Sequence, residues 1–446
     1  MFQKIVIIGG LAGGLTAASW ARRTSAEVSI TVVERGLEVA YSECGLPYVL
    51  SGEIGSFEQL VRYTPQEFAA RYNVELLTGH IAEAIDPRQG CVEVRSASGG
   101  SRVRLYYDQL IVATGASPAM PAVAGLNLAG VFALRHLPEA RTIDFYLRNN
   151  RLRSAVVVGA GWLGLEMAEV LVARGLRVTI VERTSRLAGF SGEICSAILE
   201  ELTAQGVRVC FESELLGIDG IAGTVSRVST RSGEYDADIV FLATGVRPAV
   251  ELARGAGLRL GAGGAIAVNE RQMTSYPDIY AAGDCSEVYH IVLNRPVYLP
   301  LGTTANKQGR VAGINAAGGR AQFRGVVGTS ALKVFSLEAA TTGLSLEEAL
   351  QAGYRASRIV KRSISRAGYY PGAERLIVEI VYDEATGRLL GCRMCGREAV
   401  AKRIDVAAAA LYAKMRVDDL LQLDLSYAPP LAPVWEALLI AARSCH

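Results

Sequence analysis

Hydrophobic positions along this chain fall into a pattern that occurs twice. Lys4 to Ile8 form a short β-branched run, Gly9-Gly10-Leu11-Ala12-Gly13-Gly14 a glycine-rich turn, and Leu15 to Arg23 carry apolar residues at helical spacing. A second apolar run from Val28 to Val33 ends at an acid, Glu34. The switch of period from two to about 3.6 and back predicts strand, helix and parallel strand. From Ala155 the unit returns: Val156-Val157-Val158, the turn Gly159-Ala160-Gly161-Trp162-Leu163-Gly164, a helix over Leu165 to Arg174, and Val178 to Val181 leading into Glu182. Two later segments echo each other, Leu110-Ile111-Val112-Ala113-Thr114-Gly115 and Val240-Phe241-Leu242-Ala243-Thr244-Gly245. Beyond residue 324 the pattern becomes alternating strands, such as Leu376 to Tyr382 and Leu389 to Met394, around an alanine-rich helix near Ile404 to Met415. These elements predict an α/β protein with two Rossmann-like dinucleotide-binding domains and a C-terminal α+β domain. We place the first domain at 1–118 and 246–323, the second at 119–245 and the third at 324–446.

Composition agrees with this division. At 446 residues the chain is long enough for about three domains of ~150 residues. Lys+Arg 46 against Asp+Glu 44 leaves a net charge of +2, which excludes a global field for nucleic acid or an anionic membrane. Glycine is abundant at 47 residues and proline sparse at 14, as many tight strand-to-helix turns require. The opening run, Met1 to Gly9, is too short for a signal sequence, and the eight cysteines are dispersed rather than framed as in a secreted domain. The expected compartment is the cytoplasm.

In a G-x-G-x-x-G turn the chain folds tightly, lets backbone approach a pyrophosphate and aims a helix N-terminus at it. Gly159, Gly161 and Gly164 satisfy the pattern, with Glu182 placed for a ribose 2′-hydroxyl. A carboxylate there repels a 2′-phosphate, so NADH is the expected donor, although Arg183 and Arg186 keep NADPH open. In the first copy Gly9, Gly14 and Glu34, followed by Arg35, keep the pattern, but Leu11 occupies the middle position. A third segment, Thr274-Ser-Tyr-Pro-Asp-Ile-Tyr-Ala-Ala-Gly283-Asp284, resembles the second flavin motif of the two-dinucleotide flavoproteins. That resemblance implies FAD on the first unit and NADH on the second. It assigns cofactor contacts to Ala113, Thr114, Gly115, Gly245, Gly283 and Asp284.

Cysteine placement narrows the chemistry. Two-cysteine members of that superfamily carry a C-x-x-x-x-C pair near the first helix and a C-terminal His-Glu pair; here Cys44 stands alone in Tyr41-Ser-Glu-Cys-Gly-Leu-Pro-Tyr48, and the histidines are 80, 136, 290 and 446. The chain instead resembles the single-cysteine pyridine nucleotide-disulfide oxidoreductases, above all coenzyme A-disulfide reductases and NADH-dependent persulfide reductases. The matching segments are Cys44-Gly-Leu-Pro-Tyr, Thr303-Thr-Ala-Asn-Lys-Gln-Gly-Arg310, Tyr369-Tyr-Pro-Gly-Ala373, Lys402-Arg-Ile-Asp405 and Asp424-Leu-Ser-Tyr-Ala-Pro-Pro430. Ala12 stands where NADH oxidases and peroxidases usually place a histidine.

The resemblance implies Cys44 as redox-active thiol and Tyr369 and Tyr427 as acid/base groups, with Tyr370 the alternative to Tyr369. It implies Arg22, Arg23, Ser42 and Arg71 at the substrate, and coenzyme A as bound thiol or ligand. It also implies a C-terminal dimerisation domain and a homodimer whose active site both subunits build. Two other functions fit the motifs: a flavin NADH oxidase or peroxidase cycling Cys44 through a sulfenic acid, and a non-catalytic flavin redox sensor. Departures from the family are Glu43, in place of the asparagine often preceding the cysteine, Ala40, in place of a frequent serine, and Tyr72, in place of a lysine that in some members meets the coenzyme A phosphates. Cys392-Arg-Met-Cys395 invites a redox or metal reading. On a strand, however, residues three apart face opposite ways at ~10 Å, beyond disulfide reach, so no metal site is expected.

Overall fold

The computed structural model describes residues 3–445; Met1, Phe2 and His446 lie outside the described residues. The chain divides into two compact units: residues 3–119, 246–290 and 294–326 form one, and 120–245, 291–293 and 327–445 the other.

In the first unit five strands make a parallel sheet, ordered Ile279–Ala281, Gln109–Val112, Lys4–Ile8, Ser29–Glu34 and Glu75–Thr78. Alternate side chains serve opposite faces: Ile5, Ile7, Ile30 and Val32 enter one core cluster, and Val6, Ile8, Val33 and Val112 the other. Burial on both sides explains why these strands read as unbroken apolar runs. Helix Ala12–Thr24 packs on the first face together with helix Gly302–Ala316. The contact is close: a Cβ on Gly309 would lie 2.3 Å from the Gly13 carbonyl oxygen.

The second unit opens on another five-stranded parallel sheet, ordered Arg208–Cys210, Arg177–Val181, Ser154–Val158, Ile239–Leu242 and Val131–Phe132. Its C-terminal part is a five-stranded antiparallel sheet, ordered Ser330–Val334, Leu337–Gly343, Leu389–Gly396, Arg375–Asp383 and Ala356–Ile364. Helix Val400–Tyr412 covers that sheet. It ends three residues before the expected Met415 because Lys414 adopts a left-handed backbone, φ 54°. Two carboxylates tie the parts together. Glu169 accepts the Phe335 N–H (2.9 Å), and the buried Glu201 accepts the Ser336 hydroxyl (2.7 Å) and pairs with Arg397 (2.8 Å).

Two antiparallel three-stranded sheets were not expected: His80–Asp86 with Cys91–Ser96 and Val103–Tyr106, and Leu215–Ile221 with Thr224–Thr230 and Gly233–Asp236. Their outer strands are largely exposed, so period-two alternation is diluted there. Cys392 and Cys395 pair across the sheet with Ile380 and Ile377, and both are buried thiols. No helix among the described residues is long and apolar enough to cross a membrane.

Candidate active site

Both glycine turns sit at the C-terminal ends of parallel strands, where open α/β sheets bind ligands, and their geometry matches almost atom for atom. Gly9 and Gly159 take φ of 116° and 100°, and a Cβ on either would strike the carbonyl oxygen of Ala113 (2.1 Å) or Ala243 (2.5 Å). A Cβ on Gly14 or Gly164 would meet the Gly9 or Gly159 carbonyl oxygen at 1.9 and 2.0 Å. The middle position is different. Leu11 has φ −117° and Gly161 φ −72°, both open to any L-residue, and a Cβ built on Gly161 meets nothing within 4 Å. Leu11 therefore leaves the first turn intact.

Each turn is locked by the acid ending the next strand. The Gly10 N–H donates to Glu34 Oε2 and the Gly36 N–H to Oε1, both at 2.6 Å. In the second unit the Ala160 N–H donates to Glu182 Oε2 (2.8 Å), while Oε1 accepts from the Thr184 N–H (2.7 Å) and hydroxyl (2.8 Å). A carboxylate has about four acceptor positions, so each still has room for a ribose hydroxyl. Arg35 is exposed next to Glu34. Ala113, Thr114 and Gly115 line the same sheet edge, Thr114 donating to the Ala249 carbonyl (2.6 Å), with Gly245 at the matching turn of the second unit. Trp162 packs against Phe190, ring centroids 6.1 Å apart.

Gly283 and Asp284 follow strand Ile279–Ala281, and a Cβ on Gly13 would lie 3.2 Å from the Ala282 carbonyl oxygen. The flavin-motif turn and the first glycine helix are thus neighbours, as one dinucleotide spanning both needs. Gln308, buried, fastens this turn at both ends. Its Oε1 accepts the Gly283 N–H (2.9 Å) and its Nε2 donates to the Glu287 carbonyl (2.9 Å). Sequence reasoning assigned Gln308 no role; its place inside the Thr303–Arg310 segment was the only signal.

Cys44 is exposed in the helical turn Glu43–Gly45, just ahead of the short helix Leu46–Ser51. Ser42 is exposed beside it. Ala40, at φ 54°, donates its N–H to the Gly10 carbonyl (3.4 Å), so the Cys44 segment hangs on the first glycine turn. Burial pushes up the thiols of Cys91, Cys195, Cys285 and Cys392, that of Cys395 to about 12 and that of Cys445 to about 11. None of these six supplies a thiolate near neutrality. Of the remaining two, Cys210 is half-buried and its Sγ accepts the Tyr235 hydroxyl (3.2 Å).

Arginine roles divide. Arg22 donates to the carbonyls of Tyr72 (3.1 Å), Ser25 (3.4 Å), Ala26 (2.6 Å) and Asn73 (2.8 Å), four of the five N–H groups that a guanidinium carries. These bonds make it a cap joining two helix ends. The exposed Arg23 and Arg71 belong instead to a belt that alternates cation and ring: Arg310 on Trp20 (4.8 Å), Arg23 on Trp20 (5.1 Å) and Tyr72 (5.9 Å), Arg71 on Tyr72 (5.8 Å) and Tyr63 (5.6 Å), and Arg62 on Tyr63 (5.4 Å). Cation–ring contacts at such distances are favourable by ~0.5–1 kcal/mol at exposed sites, enough to hold four like charges along one surface. Tyr72, read from sequence as a lost lysine, is a ring in that belt.

In the second unit the Tyr369 and Tyr427 hydroxyls meet at 3.3 Å, and both rings are exposed. The hydrogen bond to Tyr369 raises the Tyr427 phenol above its usual range. Tyr370 instead donates its N–H to the Ala367 carbonyl, and Tyr369 is the residue brought to Tyr427.

Comparison with known proteins places these features in context. The profile described as Pyridine nucleotide-disulphide oxidoreductase matches residues 3–309, and its dimerisation domain matches residues 329–438. The NAD(P)H sulfur oxidoreductase (CoA-dependent) of Pyrococcus abyssi (strain GE5 / Orsay) is 42% identical over 444 residues, 99% of this chain and 98% of that relative. The NADH oxidase of Methanocaldococcus jannaschii is 36% identical, again over 99% of this chain and 98% of the relative. A solved NAD-dependent persulfide reductase from A. fulgidus has a TM-score of 0.96 and 38% identity, covering 99% of this chain and 82% of that one.

The second glycine turn generates a prediction about the donor. Arg186 is held by Glu347 in an ion pair, which leaves the exposed Arg183 as the cation next to Glu182 in sequence. The expected outcome is a higher kcat/KM with NADH than with NADPH. Glu182→Gln, which removes the charge but keeps an acceptor for the Ala160 N–H, narrows the gap about tenfold, equivalent to ~1.4 kcal/mol. Steady-state kinetics with both nucleotides checks this; a wild-type preference for NADPH would show that Arg183 governs the choice.

Proposed function

The chain belongs to the pyridine nucleotide-disulphide oxidoreductases, and on that premise we propose that it reduces a low-molecular-weight disulfide or persulfide of the coenzyme A type through Cys44. It is an oxidoreductase of the class that uses FAD and NAD(P)H. In this reading residues 1–118 and 246–323 hold FAD through the Gly9–Gly14 turn, Glu34, the 113–115 turn and Asp284. Residues 119–245 hold the nicotinamide nucleotide through the Gly159–Gly164 turn, Glu182 and Gly245, and residues 324–446 form the dimer. When bound, FAD accepts hydride from NAD(P)H and supplies the electron pair that the sulfur chemistry consumes.

The observation that carries the substrate class is the belt of Arg23, Arg62, Arg71 and Arg310 interleaved with Trp20, Tyr63 and Tyr72. Alternating guanidinium and ring suit a ligand that carries several phosphates and an adenine, since rings stack on the base and the cations meet the phosphates. Cys44 supplies the reactive sulfur. Its thiolate attacks one sulfur of R–S–S–R′, forming a Cys44–S–S–R mixed disulfide and expelling R′–S⁻, which takes a proton from a tyrosine hydroxyl. A further electron pair and proton release R–SH and restore the Cys44 thiolate. Proton transfer of this kind is worth ~10²–10⁴-fold, and Tyr369 with Tyr427 fills the role in place of a histidine. The relative's name, CoA-dependent sulfur oxidoreductase, supports the same substrate class.

The test is a comparison of NADH consumption with coenzyme A disulfide, a persulfide, hydrogen peroxide and oxygen. Turnover is highest with a disulfide or persulfide, and Cys44→Ser abolishes it while bound flavin is still reduced by NADH. Higher turnover with oxygen or peroxide, or a Cys44→Ser variant that keeps disulfide turnover, overturns the proposal.

We also propose that one subunit's Cys44 works with the partner's tyrosine pair. The supporting observations are the exposed tyrosines and the apolar Leu431, Val434 and Trp435 exposed beyond them, a face suited to burial in a dimer. Mixing Cys44→Ser subunits with Tyr369→Phe/Tyr427→Phe subunits then restores activity from two nearly inactive parents, because one site of each heterodimer is intact. Absence of recovery despite demonstrated subunit exchange places the site within one chain.

A further inference from the structure

We infer that Arg403 is the positioning residue that sets the Tyr369–Tyr427 pair; the inference rests on the acid/base reading of those tyrosines. Arg403 lies in the Lys402–Asp405 segment, to which the proposed function gives no task, on helix Val400–Tyr412. Its side chain is 9% exposed, unusual for an arginine facing neither solvent nor ligand. The guanidinium reaches three ways. Nη2 donates to the Ser365 carbonyl (2.6 Å), Nη1 to the Glu398 carbonyl (3.5 Å), and Nε pairs with the Glu436 carboxylate.

Two of those contacts hold the chain segments that carry the tyrosines. Ser365 closes the base of a loop: its N–H donates to the Glu374 carbonyl (2.8 Å) and its hydroxyl oxygen accepts the Glu374 N–H (3.0 Å), with Tyr369 between them. Glu436 caps helix Ala437–Ala442 by accepting the Leu438 N–H (3.0 Å), and so ends the segment that Tyr427 begins. Nearer the hydroxyls, the Ala367 N–H donates to the Pro429 carbonyl (3.2 Å). Arg366, on the Tyr369 loop, pairs with Glu398, whose carbonyl Arg403 also engages. One buried fork therefore fixes the base of one tyrosine segment and the far end of the other. The exposed hydroxyls, 58 residues apart in sequence, meet between those shared anchors and the Ala367–Pro429 bond.

A lysine keeps the charge but has no fork, so it cannot serve three acceptors in these directions. Truncation to alanine would strand the Glu436 carboxylate in a buried place and is the wrong probe. Arg403→Lys is expected to lower disulfide turnover about tenfold, a fraction of the ~10²–10⁴ that proton transfer supplies. Reduction of bound flavin by NADH, KM for NADH and the dimer seen by light scattering stay as in the wild type. In a Tyr369→Phe/Tyr427→Phe background the same substitution changes nothing further. Glu436→Gln, which removes the charge and keeps an acceptor oxygen at only one of its two contacts, gives a loss with the same dependence on the tyrosines and carries the test if Arg403→Lys does not form the dimer. Wild-type turnover in Arg403→Lys, or an equal loss with and without the tyrosines, overturns the inference. Wild-type turnover in Tyr369→Phe/Tyr427→Phe alone overturns the acid/base reading instead.

Discussion

The constraint on which the rest of this protein depends is the backbone-to-backbone contact at Gly9 and Gly159. At each, a turn leaving the first strand presses against the carbonyl at the end of the neighbouring strand, with no room for a side chain. That approach lets the N–H groups at the start of the following helix face outward past the sheet edge, the geometry that suits a pyrophosphate. The turn then presents its own N–H to the acid of the next strand, Glu34 or Glu182. Hydrogen bonds to a charged acceptor are worth ~1.5–3 kcal/mol, so each turn, its helix and its acid behave as one rigid piece. Cys44 is tethered to the first of these pieces through Ala40, which links that thiol to the glycine turn by backbone alone.

Helix Gly302–Ala316 extends that rigidity. It lies against helix Ala12–Thr24 at backbone distance through Gly309 and Gly13, and Gln308 grips both ends of the 283–287 turn. Buried polar groups of this kind contribute specificity of conformation when every donor and acceptor is satisfied. The same logic recurs in the C-terminal sheet, where Arg403 joins segments that the sequence keeps far apart. In the proposed function the rigid glycine turns serve electron supply and the tyrosine pair proton supply, each with its own buried support.

How much of this could be read from the sequence follows from the range of each interaction. The βαβ units were legible because their hydrophobic periods and glycines lie within thirty or so residues of one another, and strand Lys4–Ile8 has the bounds its pattern implied. Leu11 looked like a defect only because the motif is written as a string; its extended φ shows that the middle position needs no glycine here. Adjacent arginines look alike until their neighbours are known: Arg22 faces four carbonyls, Arg23 two rings. The belt itself draws on residues 20–23, 62–72 and 310, and no local pattern announces such convergence. Tyr369 and Tyr427 were reached through family resemblance alone, and the loop-closing bonds that bring them together are non-local.

The central claim is that Cys44 carries the substrate sulfur as a mixed disulfide. Its most direct test is peptide mass analysis of the holoenzyme after one equivalent of coenzyme A disulfide, before and after one equivalent of NADH. The account predicts one coenzyme A thiol per chain, attached at Cys44 alone and released by the NADH. Turnover without any adduct at Cys44, or an adduct confined to another cysteine, would contradict it.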